Sequence, residues 1–243
     1  MFAISIQNLV KRFGDRVAVD NLCLDVKEGE LLALLGMNGA GKTTTLNVIC
    51  GLLNADAGDA FVFGESVKTN RKKIKGLLNM SLQETAVAEN LTVKENLEFI
   101  CKIYGFGKNQ TAKMIEQIMS QFALTDRQKD KASKLSGGYK RRLSIAMALV
   151  TQPKVVFLDE PTLGLDVVAR RELWSVIKAL KGKTTIILTT HYLEEAEMLA
   201  DRIAVMKEGR LCGLGSADEL KKQTDTTKFE DAFLTLCGVE VKL

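Results

Sequence analysis

One octapeptide constrains this chain more than any other stretch: Gly36-Met37-Asn38-Gly39-Ala40-Gly41-Lys42-Thr43. It fits the pattern G-x-x-x-x-G-K-[ST] at every fixed position. The apolar run Leu31 to Leu35 feeds it and reads as a buried strand, and Thr44 to Cys50 comes after it and reads as a helix. Strand, glycine loop and helix form the context in which successive backbone N–H groups turn inward around a phosphate. The helix start adds partial positive charge at the same place. Lys42 suits the β- and γ-phosphates, and the Thr43 hydroxyl suits Mg²⁺. A plain glycine turn has no need of Lys-Thr directly after its second glycine.

The surrounding pattern predicts the scaffold. Ile4 to Val10 and Ala18 to Val26 alternate apolar and polar residues, as antiparallel strands do, with turns at Phe13-Gly14-Asp15 and at Lys27 to Glu30. Phe13, at such a turn, could lie flat on a purine ring or serve as a strand-end core aromatic. Asp56 to Phe63 reads as short strands broken at Gly58 and Gly64. From about Ala88 to Pro153 the spacing is helical, as for a helical lobe inserted into an α/β core. Val155 to Leu158 and Thr184 to Thr190 are continuous apolar or β-branched runs, the mark of buried parallel strands. The expected fold is α/β: a mainly parallel sheet with helices on both faces, an N-terminal antiparallel piece and the helical lobe, over residues 1–215. Residues 216–243 read as a short tail, helical and then irregular, with no motif.

Other classes are disfavoured by what the chain lacks. Net charge is only +4, and the basic runs at Lys68 to Lys75 and Lys140 to Arg142 are short, so nucleic acid is not expected as a partner. The five cysteines form no C-x-x-C pair and read as small buried hydrophobes in a reducing compartment. One histidine excludes a His-rich metal centre. No apolar run approaches the roughly 20 residues that cross a bilayer, and the N-terminus lacks the charged region of a signal peptide. A cytoplasmic protein is expected, with any membrane part on another chain.

Two further stretches carry chemistry. Val155-Val156-Phe157-Leu158-Asp159-Glu160 delivers two acids to the end of a buried strand, where ligands bind in parallel sheets. Asp159 suits Mg²⁺; Glu160 suits a base for water attacking a γ-phosphate. Lys134-Leu135-Ser136-Gly137-Gly138-Tyr139-Lys140-Arg141-Arg142 opens a helix of small and apolar residues. Ser136 is a natural N-cap there. The stretch reads either as a plain capped helix or as a second anion site, and a capped helix leaves the doubled glycine and the Lys-Arg-Arg run without a reason. His191, after the Thr184 to Thr190 strand, is either a packing residue or a phosphate donor.

Taken together, the phosphate loop, Leu135 to Gly138, Leu158-Asp159-Glu160-Pro161-Thr162, Gly164-Leu165-Asp166 and His191 resemble the ATP-binding subunit of ABC transporters, in that family's order, from about residue 4 to 215. The resemblance implies ATP and Mg²⁺ as ligands and a P-loop NTPase core. It implies that Phe13 stacks on adenine and that Asn38, Gly39, Ala40, Gly41, Lys42, Thr43 and Thr44 bind phosphate. It implies that Gln83 touches Mg²⁺ and the attacking water, Asp159 holds Mg²⁺ with Thr43, Glu160 is the base, and His191 contacts the γ-phosphate. Ser136, Gly137 and Gly138 are implied to reach the ATP of a second copy, with Asp166 linking the two sites. Tyr139, where glutamine is common, and Leu91 to Leu97 with the later Tyr104-Gly105 break resemble the branch serving export-type, ABC-2 permeases. The implied partners are a multi-pass membrane permease and a second copy in a head-to-tail dimer, with the chain peripheral on the inner face of the membrane. Two rivals differ in class: a soluble ABC-type ATPase acting on ribosomes or DNA, and a nucleotide sensor without transport.

Overall fold

The computed structural model describes residues 1–239. In chain order the strands are β1 (Phe2–Phe13), β2 (Arg16–Lys27), β3 (Leu31–Leu35), β4 (Ala57–Val62), β5 (Glu65–Ser66), β6 (Leu78–Ser81), β7 (Val155–Asp159), β8 (Thr185–Thr190), β9 (Arg202–Lys207) and β10 (Arg210–Gly215). The helices are α1 (Lys42–Ile49), α2 (Arg71–Ile74), α3 (Val93–Ile103), α4 (Lys108–Gln121), α5 (Gly137–Leu149), α6 (Val167–Lys178), α7 (Leu193–Leu199), α8 (Ala217–Gln223) and α9 (Phe229–Leu236).

Six strands form a sheet in the order β10-β9-β3-β8-β7-β6, parallel except for β10. The order places β3 at the centre, so the sheet must be covered on both faces, and the side-chain alternation shows how. Leu31, Ala33 and Leu35 join Val156, Leu158, Ile186, Leu188, Ile203 and Val205 in a core completed by α3 to α9. Leu32 and Leu34 join Val155, Phe157, Ile187, Ala204 and Met206 in a second core on the opposite face. That second face is closed by α1, by Ile74 of α2, and by an antiparallel sheet of order β2-β1-β4-β5. Helices thus lie on both faces, most of them on one.

Three local expectations change. Strand β4 runs through Gly58 unbroken. Gly58 has φ +69°, and a Cβ there would lie 2.1 Å from the Asn8 carbonyl oxygen, so the glycine permits close approach of β1 instead of ending a strand. The tail is more regular than its sequence suggests: α9 comes after α8, and Leu220, Phe229, Ala232, Phe233 and Cys237 are part of the larger core. Of the cysteines, Cys50, Cys101 and Cys237 are buried, but Cys23 is exposed and bonded to Asn8, and Cys212 is half-buried. Alternation along β2 turns Cys23 outward, a pattern that apolar neighbours in sequence do not reveal.

Candidate functional site

Parallel strands end on the same edge of a sheet, so β3, β6, β7 and β8 bring their trailing segments to one place. These are the glycine loop, Gln83, Asp159 with Glu160, and His191. A cleft of about 400 Å³ opens there, lined by Phe13, Arg16, Ala18, residues 38 to 44, Gln83 and Glu160.

The glycine loop is shaped by steric necessity. A Cβ on Gly36 would sit 2.4 Å from the Met206 carbonyl oxygen, and one on Gly41 would sit 2.4 Å from that of Ala18. Gly41, at φ +99°, is also in a backbone region that side chains disfavour. It precedes α1 with no side-chain cap, and the first turn of α1 contains no acid. The leading N–H groups of that helix therefore face the cleft without an internal competitor.

The charged groups form one linked chain. Thr43 Oγ1 donates to the Asp159 carboxylate at 3.1 and 3.2 Å, and Thr189 Oγ1 donates to it at 2.5 Å. Lys42 is buried; its Nζ donates to the Gly36 carbonyl at 2.6 Å and lies 3.5 Å from Glu160 Oε1. His191 Nδ1 is 2.8 Å from Glu160 Oε2. An imidazole nitrogen and a carboxylate oxygen at that distance share one proton. Glu160 itself has φ +48°, held by its N–H donating to both the carbonyl and the hydroxyl of Thr189.

Two buried groups surround this chain. Arg141 is pushed down to about 10, chiefly by burial, against the pull of Asp159, Glu195 and Glu160. Glu195 is raised, chiefly by burial; its Oε1 accepts from Thr162 Oγ1 at 2.9 Å and from Trp174 Nε1 at 3.1 Å.

Of the residues singled out in the sequence, Phe13, Asn38, Gly39, Ala40, Gly41, Lys42, Thr43, Thr44, Gln83 and Glu160 share the cleft, with Asp159 and His191 tied to it by hydrogen bonds. Phe13 is half exposed, its ring open on the cleft side. Ser136, Gly137, Gly138 and Asp166 do not line the cleft. Ser136 caps α5 through a long 3.5 Å bond from the Tyr139 N–H, and Asp166 caps α6 at 2.9 Å from the Ala169 N–H. Sequence reasoning misses Arg16: its guanidinium reaches 3.4 Å from the Gly39 carbonyl and lines the cleft. Its only signal is a cation just past the Phe13 turn. Thr189, Arg141 and Glu195 carry no sequence signal for their contacts.

The donor set suits Mg²⁺. A hydroxyl and a carboxylate converge, both hard oxygen ligands, and among the described residues no group of three or more His, Cys, Asp or Glu is placed to hold a metal. Mg²⁺ fits such a site because it takes one or two protein oxygens, with substrate phosphates and water completing its shell.

A parallel sheet delivering a glycine loop, an acid pair and a histidine to one cleft defines a P-loop nucleoside triphosphatase. Residues 19–163 match the family model described as ABC transporter, and the chain belongs to that family as an ATP-binding, Mg²⁺-dependent ATPase. It is 41% identical over 223 residues to the daunorubicin resistance ATP-binding protein DrrA3 of Streptomyces coeruleorubidus, covering 91% of this chain and 71% of that one. It is 39% identical over 224 residues to the phospholipid-transporting ATPase ABCA3 of Homo sapiens, covering 90% of this chain but only 13% of that one. Among solved structures, an ATP-binding subunit of an ABC transporter superposes with TM-score 0.86 at 25% identity, covering 96% of this chain and 99% of the other. A dimeric ATP-binding cassette in a post-hydrolysis state with ADP and Pi superposes with TM-score 0.78 at 25% identity, covering 88% and 98%.

Proposed function

We propose that the chain is the subunit that drives a separate multi-pass permease of the export type, and that two copies close head to tail around two ATP molecules. The observation that carries this reading is a division of labour between two surfaces. The cleft gathers one set of phosphate-binding groups, while Ser136, Gly137, Gly138 and Asp166 lie outside it. Ser136 and Gly137 are exposed, and a Cβ on Gly137 would meet nothing within 4 Å. No contact inside the chain asks for glycine there, so the need for a bare backbone comes from outside. A second copy's nucleotide supplies it, and the similarity to a solved cassette dimer supports the arrangement. The export direction is supported by the likeness to a drug-resistance protein and a phospholipid-transporting one. No helix among the described residues is long and apolar enough to cross a membrane; in this reading the permease carries the transport path and the chain docks on its inner face.

Phe13 takes the adenine face and the residues 38 to 44 take the phosphates. On binding, phosphate oxygens replace the carbonyls that now hold Lys42, and Lys42 leaves Glu160. Glu160 Oε1 is then free to accept a proton from the attacking water, while Gln83 orients that water. His191, its Nδ1 beside Glu160, turns its other ring nitrogen to the γ-phosphate. Thr43 and Asp159 would hold Mg²⁺, which when bound would neutralise charge along the phosphates. Asp166, at the start of α6, faces the same surface as Ser136 to Gly138 and links the two sites of the dimer.

The Glu160→Gln variant tests this. We expect turnover to fall by about 100-fold or more, with ATP still bound and a dimer persisting in ATP on size-exclusion chromatography. Normal turnover would remove Glu160 as the base; tight ATP binding by a strict monomer would remove the shared site.

A further inference from the structure

Arg141 lies about 7.5 Å along α5 from the Ser136 cap, at 1.5 Å per residue. It is buried, and its five N–H groups meet five main-chain carbonyls. Nε donates to Pro161 at 2.8 Å. One terminal nitrogen donates to Leu82 at 2.5 Å and Gln83 at 3.0 Å. The other donates to Asp159 at 2.6 Å and Glu160 at 2.9 Å. The acceptors come from the ends of two neighbouring strands, β6 and β7, which are paired up to Ser81 and Leu158 and then part. Beyond that point the sheet no longer fixes one strand end against the other, and the guanidinium takes over.

A buried guanidinium facing neutral carbonyls, not a carboxylate, is an expensive way to fill space. What the planar five-donor fork provides is geometry: it specifies the separation and tilt of both segments at once. Its neighbour Arg142 is unlike it, paired with the half-exposed Glu172 and lying 5.2 Å from the Tyr139 ring centroid. Only one of the two adjacent arginines braces the cleft.

We infer that Arg141 is a positioning residue that clamps the Gln83 and Glu160 segments to α5, so that the helix carrying Ser136 to Gly138 and the water-activating pair of the same chain move as one body. This rests on the roles given above to Gln83 and Glu160. It implies that a nucleotide engaged at the start of α5 on one face biases the geometry of the other face through one side chain.

Arg141→Lys tests the clamp, because an ammonium with three donors at one point cannot hold both strand ends. We expect kcat to fall by about tenfold or more while KM for ATP changes by less than about threefold. Amide exchange in peptides covering residues 80–86 and 158–164 is expected to rise together, relative to wild type. Arg142→Lys, on the same helix, keeps a cation beside Glu172 and shares no partner with Arg141, so it is the control: exchange in both segments and kcat should stay within about twofold of wild type. Unchanged kcat in Arg141→Lys, a rise confined to one segment, or a fall in kcat accounted for by the folded fraction in a thermal melt would each overturn the inference. The exchange measurement needs no turnover, so it stands or falls apart from the assignment of Glu160 as base.

Discussion

Two helix starts in this protein are rich in glycine, and their surroundings are opposite. The start of α1 is walled in: Gly36 and Gly41 lie against the Met206 and Ala18 carbonyls, no side chain caps the helix, and the leading N–H groups open into a cleft. The start of α5 is bare: Ser136 caps it weakly, Gly137 has empty space around it, and Gly138 meets only the Ala169 methyl, at 3.2 Å. At α1 glycine is required by the fold. At α5 no contact inside the chain requires glycine at Gly137, and the shared site proposed above supplies a requirement from outside. The same residue type thus records an internal constraint at Gly41 and, under the proposed dimer, an external one at Gly137.

Paired substitutions break or sharpen the contrast. Gly41→Ala places a methyl against backbone at a positive φ, and should cost about 2 to 4 kcal/mol of stability and abolish ATP binding, read by thermal melting and calorimetry. Gly137→Ala should leave the melt unchanged or raise stability by about 0.5 kcal/mol, keep ATP binding, and still reduce turnover. Equal destabilisation by both would erase the distinction. A smaller effect is expected for Ser136→Ala. Its capping bond is long, so the loss should be about 0.5 kcal/mol, the low end for an N-cap; turnover falling further than that predicts marks a contact outside the chain.

The smallest expected effect concerns Glu195, which holds Thr162, four residues before Asp166. Burial raises its pKa, so the folded chain keeps a proton that the unfolded chain releases near 4.5. Its stabilising contribution is complete below that value and is lost as pH rises through the raised folded value. Denaturant titrations of Glu195→Gln should show a shallower decline of stability across that window than wild type; an identical slope would mean that the carboxyl is ionised in the fold.

What the sequence disclosed tracks the range of the interactions. The phosphate loop and the acid pair are local patterns, legible because a strand must end where its chemistry begins, and period-two alternation told the antiparallel β1 and β2 from the continuous apolar β3 and β7. The brace at Arg141 was not legible, because its acceptors are carbonyls 18 to 59 residues away and any residue type supplies a carbonyl. Helix α9 was hidden for a related reason. Its apolar residues Phe229, Ala232 and Phe233 come after a polar run, Thr224 to Lys228, and acquire meaning only from α7 and α8, against which the helix packs.

The left-handed backbone at Glu160 has a consequence for the chain's history. Folding alone would favour glycine or asparagine at φ +48°, and glycine lies one base change from either glutamate codon. Either would relax the main chain while removing the acid. Under the role proposed above for Glu160, stability and hydrolysis pull this one codon in opposite directions, and a copy released from the need to hydrolyse ATP would gain by losing its glutamate first.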